Sequence, residues 1–258
     1  LFGIWNAGHQ HFLALGMLTG NGEGLQEKIL FGLGKVLPLI IVSYTVGLTV
    51  EFIAAILKKE PINEGFLVTG MLIPLVMPVT VPLWMVALAT VFCVVIGKEV
   101  FGGTGMNIMN PALVARAFIF FAFPAQMSGE IWNAVNAADV VDGYSGATNL
   151  TVFDSNWHNL PAVSDLFFGT IQGSIGETSK LAVLIGAAIL LITGIGSWRI
   201  MFSVFAGGLI MGYFFNLIAL NQAMQMPPYY HLLIGGFAFG AVFMATDPVS
   251  ATQTNTGK

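Results

Sequence analysis

Charged side chains are scarce in this sequence. Only 9% of its 258 residues are Asp, Glu, Lys or Arg, whereas 56% are hydrophobic. A soluble domain carries about a quarter of its residues as charges, so the mean hydropathy of +0.82 excludes an ordinary water-soluble globule. The 31 Gly and 21 Phe are residue types that pack helices together in lipid. The sequence predicts a membrane protein.

Metal-binding and nucleic-acid-binding residues are also sparse. The single cysteine, Cys93, lies in an apolar run, so no set of thiolates can hold an iron–sulfur cluster or a structural zinc. The four histidines show no ligand-like spacing, and we therefore expect neither a metal site nor haem. A formal net charge of −4 gives no basic patch, which excludes nucleic acid as a partner. Any redox centre must be organic.

Seven apolar stretches predict the helices. They cover roughly residues 29–57, 64–78, 83–97, 111–124, 181–197, 200–220 and 231–246. Several are shorter than the ~20 residues that a helix needs to cross the hydrocarbon layer. Pro74 and Pro78 interrupt the second stretch, Pro82 precedes the third, and Pro111 opens the fourth. The predicted fold is an all-α membrane protein, a polytopic helical bundle with broken or re-entrant helices.

A weak internal repeat occurs at an offset of 170 residues. It pairs Gly65 with Gly235, Gly70 with Gly240, Pro78 with Pro248 and Val79 with Val249. In a glycine-rich chain such matches also arise by chance. The first copy would run outward and the second inward, which predicts an inverted repeat with a site between the two halves.

Charge asymmetry predicts the orientation. Most basic residues fall on one side if the spans alternate, namely Lys58, Lys59, Lys98, Arg116 and Arg199, while Lys28, Lys35 and Lys180 depart from this pattern. The positive-inside rule makes that side cytoplasmic. Residues 126–178 carry six acidic residues and no Lys or Arg, as expected of a periplasmic loop. We expect residues 1–258 to form one multi-pass domain of a bacterial inner membrane, and a fragment of a longer subunit.

The predicted loop contains the stretch Asp142-Gly-Tyr-Ser-Gly-Ala-Thr148. One interpretation is a turn, since Asp, Gly and Ser cluster in turns. The other is a covalent attachment sequence, in which small residues leave space around the hydroxyl of an exposed Thr148. In that interpretation Asp142 helps to hold a metal-bound nucleotide donor, and Ser145 is a second hydroxyl.

This stretch resembles the site at which a flavin transferase attaches FMN to threonine in membrane subunits of sodium-translocating NADH:quinone reductases and the related Rnf complexes. Further stretches are similar to the B subunits of the sodium pumps. They are Gly97–Gly105, Asn107–Leu113, Pro124–Gln126, Gly173–Glu177, Ser197–Arg199 and Met244–Ala251. The resemblance covers nearly the whole chain in order. It implies FMN on Thr148 through a phosphoester.

The glycine-rich stretch Phe101–Asn110 has two interpretations. It is either a connector between short helices or a flavin pocket, in which glycines let the backbone approach a flat ring. The Asn107 and Asn110 amides offer donors and acceptors to the ring's polar edge. The family resemblance implies a second, noncovalent flavin, riboflavin, near these asparagines.

Glu51 lies within the first long stretch, where a carboxylate is costly unless it faces a cavity, a partner or an ion. A snorkelling carboxylate near the cytoplasmic end is an equal alternative. Gly47, one turn earlier, leaves room for a ligand or a neighbouring helix. In the resembled family this region is associated with quinone and ion handling.

The predicted function follows from the resemblance. It implies an enzyme subunit that relays electrons from covalent FMN through riboflavin to quinone, coupled to sodium export, with other subunits supplying NADH electrons. The flavins carry the redox chemistry, so we expect no catalytic acid or base among the side chains. Alternatives are the D subunit of the Rnf complex, with ferredoxin–NAD chemistry, and a flavin-free small-solute channel.

Overall fold

The computed structural model describes residues 1–16, 24–61, 64–128, 148–150, 158 and 160–258, and only the backbone of 222–223. The described residues form helices joined by turns, which confirms the predicted all-α fold. The α-helices are α1 Phe2–Ala14, α2 Leu25–Lys58, α3 Phe66–Leu75, α4 Leu83–Val95, α5 Pro111–Ala122, α6 Pro124–Met127, α7 Val163–Phe168, α8 Lys180–Ile192, α9 Trp198–Ile218, α10 Pro228–Leu233 and α11 Phe237–Phe239. Two 3-10 turns, Glu99–Phe101 and Gln222–Gln225, and a π-helical turn, Gly240–Met244, complete them.

Among the described residues, three helical segments are long and apolar enough to cross a bilayer, judged by length and composition. They are Leu25–Lys58, Leu83–Phe101 and Trp198–Ile218. Helices α3, α5 and α8 are apolar but have only 10 to 13 residues, less than the ~20 needed for a full span. All seven predicted stretches coincide with helices, and the broken ones end or begin at proline as expected. Pro74 lies in the last turn of α3, and Pro82 caps α4.

Helix α1 was not predicted from the sequence, because polar residues interrupt the apolar pattern on the face that packs. Its buried residues include Asn6 and Gln10, and it packs closely against the first half of α2. A Cβ on Gly8 would lie 2.0 Å from the Lys28 carbonyl oxygen, so the two backbones are nearly in contact. Small residues at such crossings are typical of helix pairs in membranes.

Two segments at which helices are interrupted meet in the core of the molecule: residues 75–77 at the end of α3 and residues 174–176 before α8. These are the two helix breaks. The N–H of Gly176 donates to the Leu75 carbonyl at 2.8 Å, and that of Ile175 donates to the Met77 carbonyl at 3.4 Å. The segment before α8 therefore pairs with the end of α3 through backbone bonds. Ser174 and Ile175 are buried. Residues 126–178, predicted as one outer loop, thus end in a segment that belongs to the core.

The segment that would repeat α3 also forms helix. An offset of 170 matches α3 to residues 236–245, which hold α11 and the π turn. Gly176 lies between the two, because a Cβ placed on it would be 3.0 Å from the Leu75 Cβ and 2.9 Å from Cε2 of Phe239. The two short helical segments therefore face each other across one glycine. The inverted orientation itself stays a prediction.

Candidate functional site

Thr148 is buried, with 7% of its surface exposed. This differs from the exposed threonine that the sequence suggested, and the next residue, Asn149, is buried as well. Asp142 and Ser145, the other predicted residues of the attachment stretch, lie outside the described residues. Thr148 is therefore the part of this stretch that the structure positions.

Asn149 and Leu150 show where this segment packs. A Cβ on Gly235 would lie 2.8 Å from the Leu150 Cδ1, so the leucine occupies the space that the glycine leaves. Asn149 is 5% exposed, and its Nδ2 has no hydrogen-bond partner among the described residues. A buried amide donor without a partner is rare in native structures. The residue next to Thr148 thus has an unused donor.

Lys180, the first residue of α8, reaches the same glycine. Its Nζ donates to the Gly235 carbonyl at 3.0 Å and to the Glu177 carbonyl at 2.7 Å. The side chain is buried, with 3% exposed. Because an ammonium has three donors, these two carbonyl bonds leave one N–H available.

Arg116 and Glu177 form the polar centre of the junction between the helix breaks. The Arg116 guanidinium donates to the Val76 carbonyl at 2.7 Å and lies 3.4 Å from a Glu177 carboxylate oxygen. Glu177 also accepts from the Ser174 N–H at 3.1 Å. Arg116 therefore joins α5 to both breaks. The sequence counted Arg116 among the charges of the cytoplasmic side, and that orientation stays a prediction; in the structure its guanidinium is partly buried and binds both helix breaks.

The two predicted flavin-binding asparagines have different roles in the loop before α5. Asn110 caps α5, with its Oδ1 accepting from the Ala112 and Leu113 N–H groups at 3.0 and 3.3 Å. This is the usual role of an N-cap asparagine, and it leaves the Nδ2 as a donor. Asn107 donates to the Met109 carbonyl at 3.0 Å. Asn107 therefore fixes the loop from which Asn110 projects.

A cavity of about 680 Å³ lies beside Asn110. Its walls come from α5, α9, α11 and the π turn, and they are mostly apolar, with Leu113, Ala117, Val204, Phe237, Ala241 and Met244 among them. Asn110 and Ser250 add polar groups to this lining. Cofactor sites are typically such apolar cavities with a few polar groups, of ~300–1,000 Å³.

The glycines between Phe101 and Asn110 serve the path of the chain. Gly102, Gly103 and Gly105 have φ values of +116°, +93° and +92°, a region that side-chain-bearing residues avoid. None of these three lines the cavity beside Asn110. For this part of the stretch, the structure agrees with the connector interpretation, and the residues at the cavity are Ile108 to Asn110.

Glu51 pairs with Lys98, and both side chains are buried. At the same end of α2, Lys58 pairs with Glu99 at 2.7 Å. The space beside Gly47 is filled by the Phe66 ring, since a Cβ there would lie 1.8 Å from its Cζ. Of the two predicted uses of Gly47, room for a neighbouring helix is the one that the structure contains.

These features define a class: an all-helical membrane protein whose short, broken helices form a polar junction and line an open apolar cavity. Comparison with known proteins gives the family. The model of the NQR2, RnfD, RnfE family matches residues 1–258, and the chain belongs to this family.

The relatives are identical to this chain at almost half of the aligned positions. The B subunit of the Na(+)-translocating NADH-quinone reductase of Stutzerimonas stutzeri is 46% identical, and the alignment covers 100% of this chain and 69% of the relative. The subunits of the same name in Azotobacter vinelandii and Chromohalobacter salexigens are each 47% identical, over 100% of this chain and 69% and 67% of the relatives.

Sequence reasoning missed Asn149, Lys180 and the Arg116–Glu177 pair. One signal for Lys180 was available in the sequence: it departs from the positive-inside pattern, and a lysine on the periplasmic side is expected to have specific binding partners. The ion pair gave no signal, since its partners are 61 residues apart. Leu150, two residues after Thr148, and Lys180 both contact Gly235, while Asn107 and Asn110 lie in the loop before α5.

Proposed function

We propose that this chain is the membrane subunit of a sodium-translocating NADH:quinone oxidoreductase that carries FMN on Thr148 and riboflavin in the cavity beside Asn110. The observation that carries the proposal is the full-length match to relatives of that name, together with an unbroken Asp-Gly-Tyr-Ser-Gly-Ala-Thr stretch ending at Thr148. The names of these relatives favour this function over the Rnf alternative. When bound, flavins supply redox chemistry that amino-acid side chains lack.

The surroundings of Thr148 fit a phosphate-linked group. Its neighbour Asn149 keeps an unused buried donor, and a phosphoester brings strong acceptor oxygens. Because Thr148 is only 7% exposed, a transferase reaches its hydroxyl before this segment packs against Gly235, or while it opens. The protein then holds the linkage in a fixed position relative to α8 and α11.

The cavity beside Asn110 fits a second, noncovalent flavin. Its apolar walls suit the ring system, and the free Asn110 donor and the Ser250 hydroxyl suit the ring's polar edge. Asn107 acts indirectly, because its amide donates to the Met109 carbonyl and so fixes the loop. In this proposal Asn110 contacts the flavin, and Asn107 positions the loop.

The proposed electron route runs from the Thr148 site to the Asn110 cavity and then to quinone on the cytoplasmic side, coupled to sodium export. Other subunits deliver the NADH electrons, and the complex lies in the bacterial inner membrane. Glu51 stays the candidate for ion handling. A cation that binds the Glu51 carboxylate has to displace Lys98 from the buried pair.

Mass spectrometry of the complex purified from its membrane tests the proposal. The peptide that spans residues 142–154 should carry the mass of FMN less one water, with fragments placing it on Thr148. An unmodified peptide in a complex that still reduces quinone with NADH would overturn the proposal.

A further inference from the structure

Two buried donors lie on segments that both contact Gly235: the Asn149 amide, beside Thr148, and the Lys180 ammonium. The Asn149 amide is 5% exposed and its Nδ2 lacks a partner among the described residues. Lys180 is 3% exposed and uses two N–H groups to bind carbonyls. Groups buried in this way normally find partners. Both therefore indicate a ligand that supplies acceptor oxygens.

Gly235 contacts the two segments that carry these donors. The Leu150 side chain, two residues after Thr148, lies over the Gly235 Cα, while the Gly235 carbonyl accepts from Lys180. Gly235 has a φ of +56°, which favours glycine at this position. The Thr148–Leu150 segment and the ammonium therefore approach the same residue.

The charges of the junction specify the sign of the ligand. Glu177 is paired with Arg116, whereas Lys180 has no carboxylate within ion-pair distance among the described residues. The junction formed by these three side chains therefore carries one positive charge in excess. Buried charge is costly unless it is compensated. A ligand with a single negative charge would balance it.

We infer that Lys180 and Asn149 bind the phosphate of the group attached to Thr148, as positioning residues for a flavin phosphodiester. The inference rests on the proposed function. A phosphate esterified on both sides has one negative charge, which matches the excess on Lys180. Its free oxygens accept from the remaining Lys180 N–H and from the Asn149 amide, as charge-assisted hydrogen bonds.

A thermodynamic cycle tests the Asn149 contact without using electron-transfer activity. Asn149→Leu keeps a similar volume and removes the donor. In the purified complex, this variant should lower the thermal midpoint of the flavin-loaded chain. In a Thr148→Ala background, where no phosphate is attached, it should leave the midpoint unchanged or raise it. Equal effects in both backgrounds would overturn the inference.

The charge contributed by Lys180 needs its own variants. Lys180→Met should reduce covalent flavin per chain severalfold, measured by in-gel fluorescence against protein stain. Lys180→Arg keeps the charge and should restore most of it. The ³¹P resonance of the phosphodiester should shift in Asn149→Leu. If Lys180→Met fails to assemble, the Asn149 cycle and the ³¹P shift decide the question alone.

The failures of the two proposals can be told apart. Wild-type chain without flavin on Thr148 would overturn the proposed function and this inference together. Wild-type chain with the flavin, combined with unaltered loading in Lys180→Met and equal Asn149→Leu effects in both backgrounds, would overturn only the phosphate contacts.

Discussion

Glu51 and Lys98 form an ion pair between α2 and the turn that follows α4, although 47 residues separate them. Both side chains are buried, 7% and 6% exposed. The pair joins two of the three long apolar segments at the end where Lys58 meets Glu99. Neither charge is therefore exposed at the surface of the described part of the chain.

Removing one partner of this pair should lower the stability of the protein far more than replacing both partners with apolar residues. Lys98→Met leaves a buried carboxylate without a partner, which typically costs about 3–5 kcal/mol. Glu51→Leu combined with Lys98→Met should recover most of the loss, because apolar replacements of buried pairs are often neutral or stabilising. The measurement is the fraction of monodisperse complex after heating in detergent. A double variant as unstable as Lys98→Met would contradict this interpretation.

Thr148→Ala should abolish covalent flavin, because the acceptor hydroxyl is gone. Thr148→Val keeps the shape and should give the same loss, while Ser145→Ala should stay flavinylated. Since Thr148 is buried, we expect Thr148→Ala to cost about 1 kcal/mol, the centre of the distribution for point substitutions. In-gel fluorescence of the denatured chain gives the result. A fluorescent Thr148→Val band would assign the flavin to another residue.

Asn110 should matter more than Asn107 for noncovalent riboflavin. Asn110→Ser keeps a capping oxygen for α5 and removes the amide, so riboflavin should fall while stability stays near wild type. Asn110→Leu should also lose the cap, at about 0.5–2 kcal/mol. Asn107→Leu should have the smaller effect on riboflavin. Extraction and chromatography of flavins from the purified complex measure this, and full retention in Asn110→Ser would place the flavin elsewhere.

The predicted orientation can be tested with single cysteines. Cys93 is fully buried and is replaced by alanine as a precaution. Ser164 in α7 and Glu60 after α2 are both exposed. Ser164→Cys should react with an impermeant thiol reagent in intact cells, and Glu60→Cys only after lysis. The reverse pattern would place residues 126–178 in the cytoplasm and exclude attachment of FMN at the outer face.

Gly176→Ala should destabilise the junction of the two helix breaks. Its Cβ would lie 2.9 Å from a Phe239 ring carbon and 3.2 Å from the Leu75 carbonyl oxygen. Overpacking of this kind costs about 1–3 kcal/mol. Gly207→Ala in α9 is the matched control, since nothing lies within 4 Å of a Cβ there, and it should be neutral or stabilising. The thermal midpoint should therefore fall in Gly176→Ala and stay unchanged or rise in Gly207→Ala.

The helices were predictable from the sequence because lipid requires apolar runs of recognisable length, and all seven runs became helices. Helix α1 was not, since Asn6 and Gln10 interrupt its hydrophobic pattern. The candidate sites were predictable only in part. The attachment stretch and the asparagines before α5 have local signatures, whereas Lys98 and Arg116 were counted only as charges of the cytoplasmic side. Their partners are distant in sequence, so no local pattern could reveal the ion pairs.

The backbone bonds between residues 75–77 and 174–176 restrict substitutions unevenly. Leu75 and Met77 contribute carbonyl oxygens, which every amino acid has, so their side chains can change without loss of these bonds. Ile175 and Gly176 contribute N–H groups, which excludes only proline on that account. Only position 176 is limited to glycine by the close approach of its neighbours, whereas the buried Met77 and Ile175 are limited to apolar side chains that fit the core. Laboratory evolution of this protein should therefore accept varied apolar residues at 75, 77 and 175, and return glycine at 176.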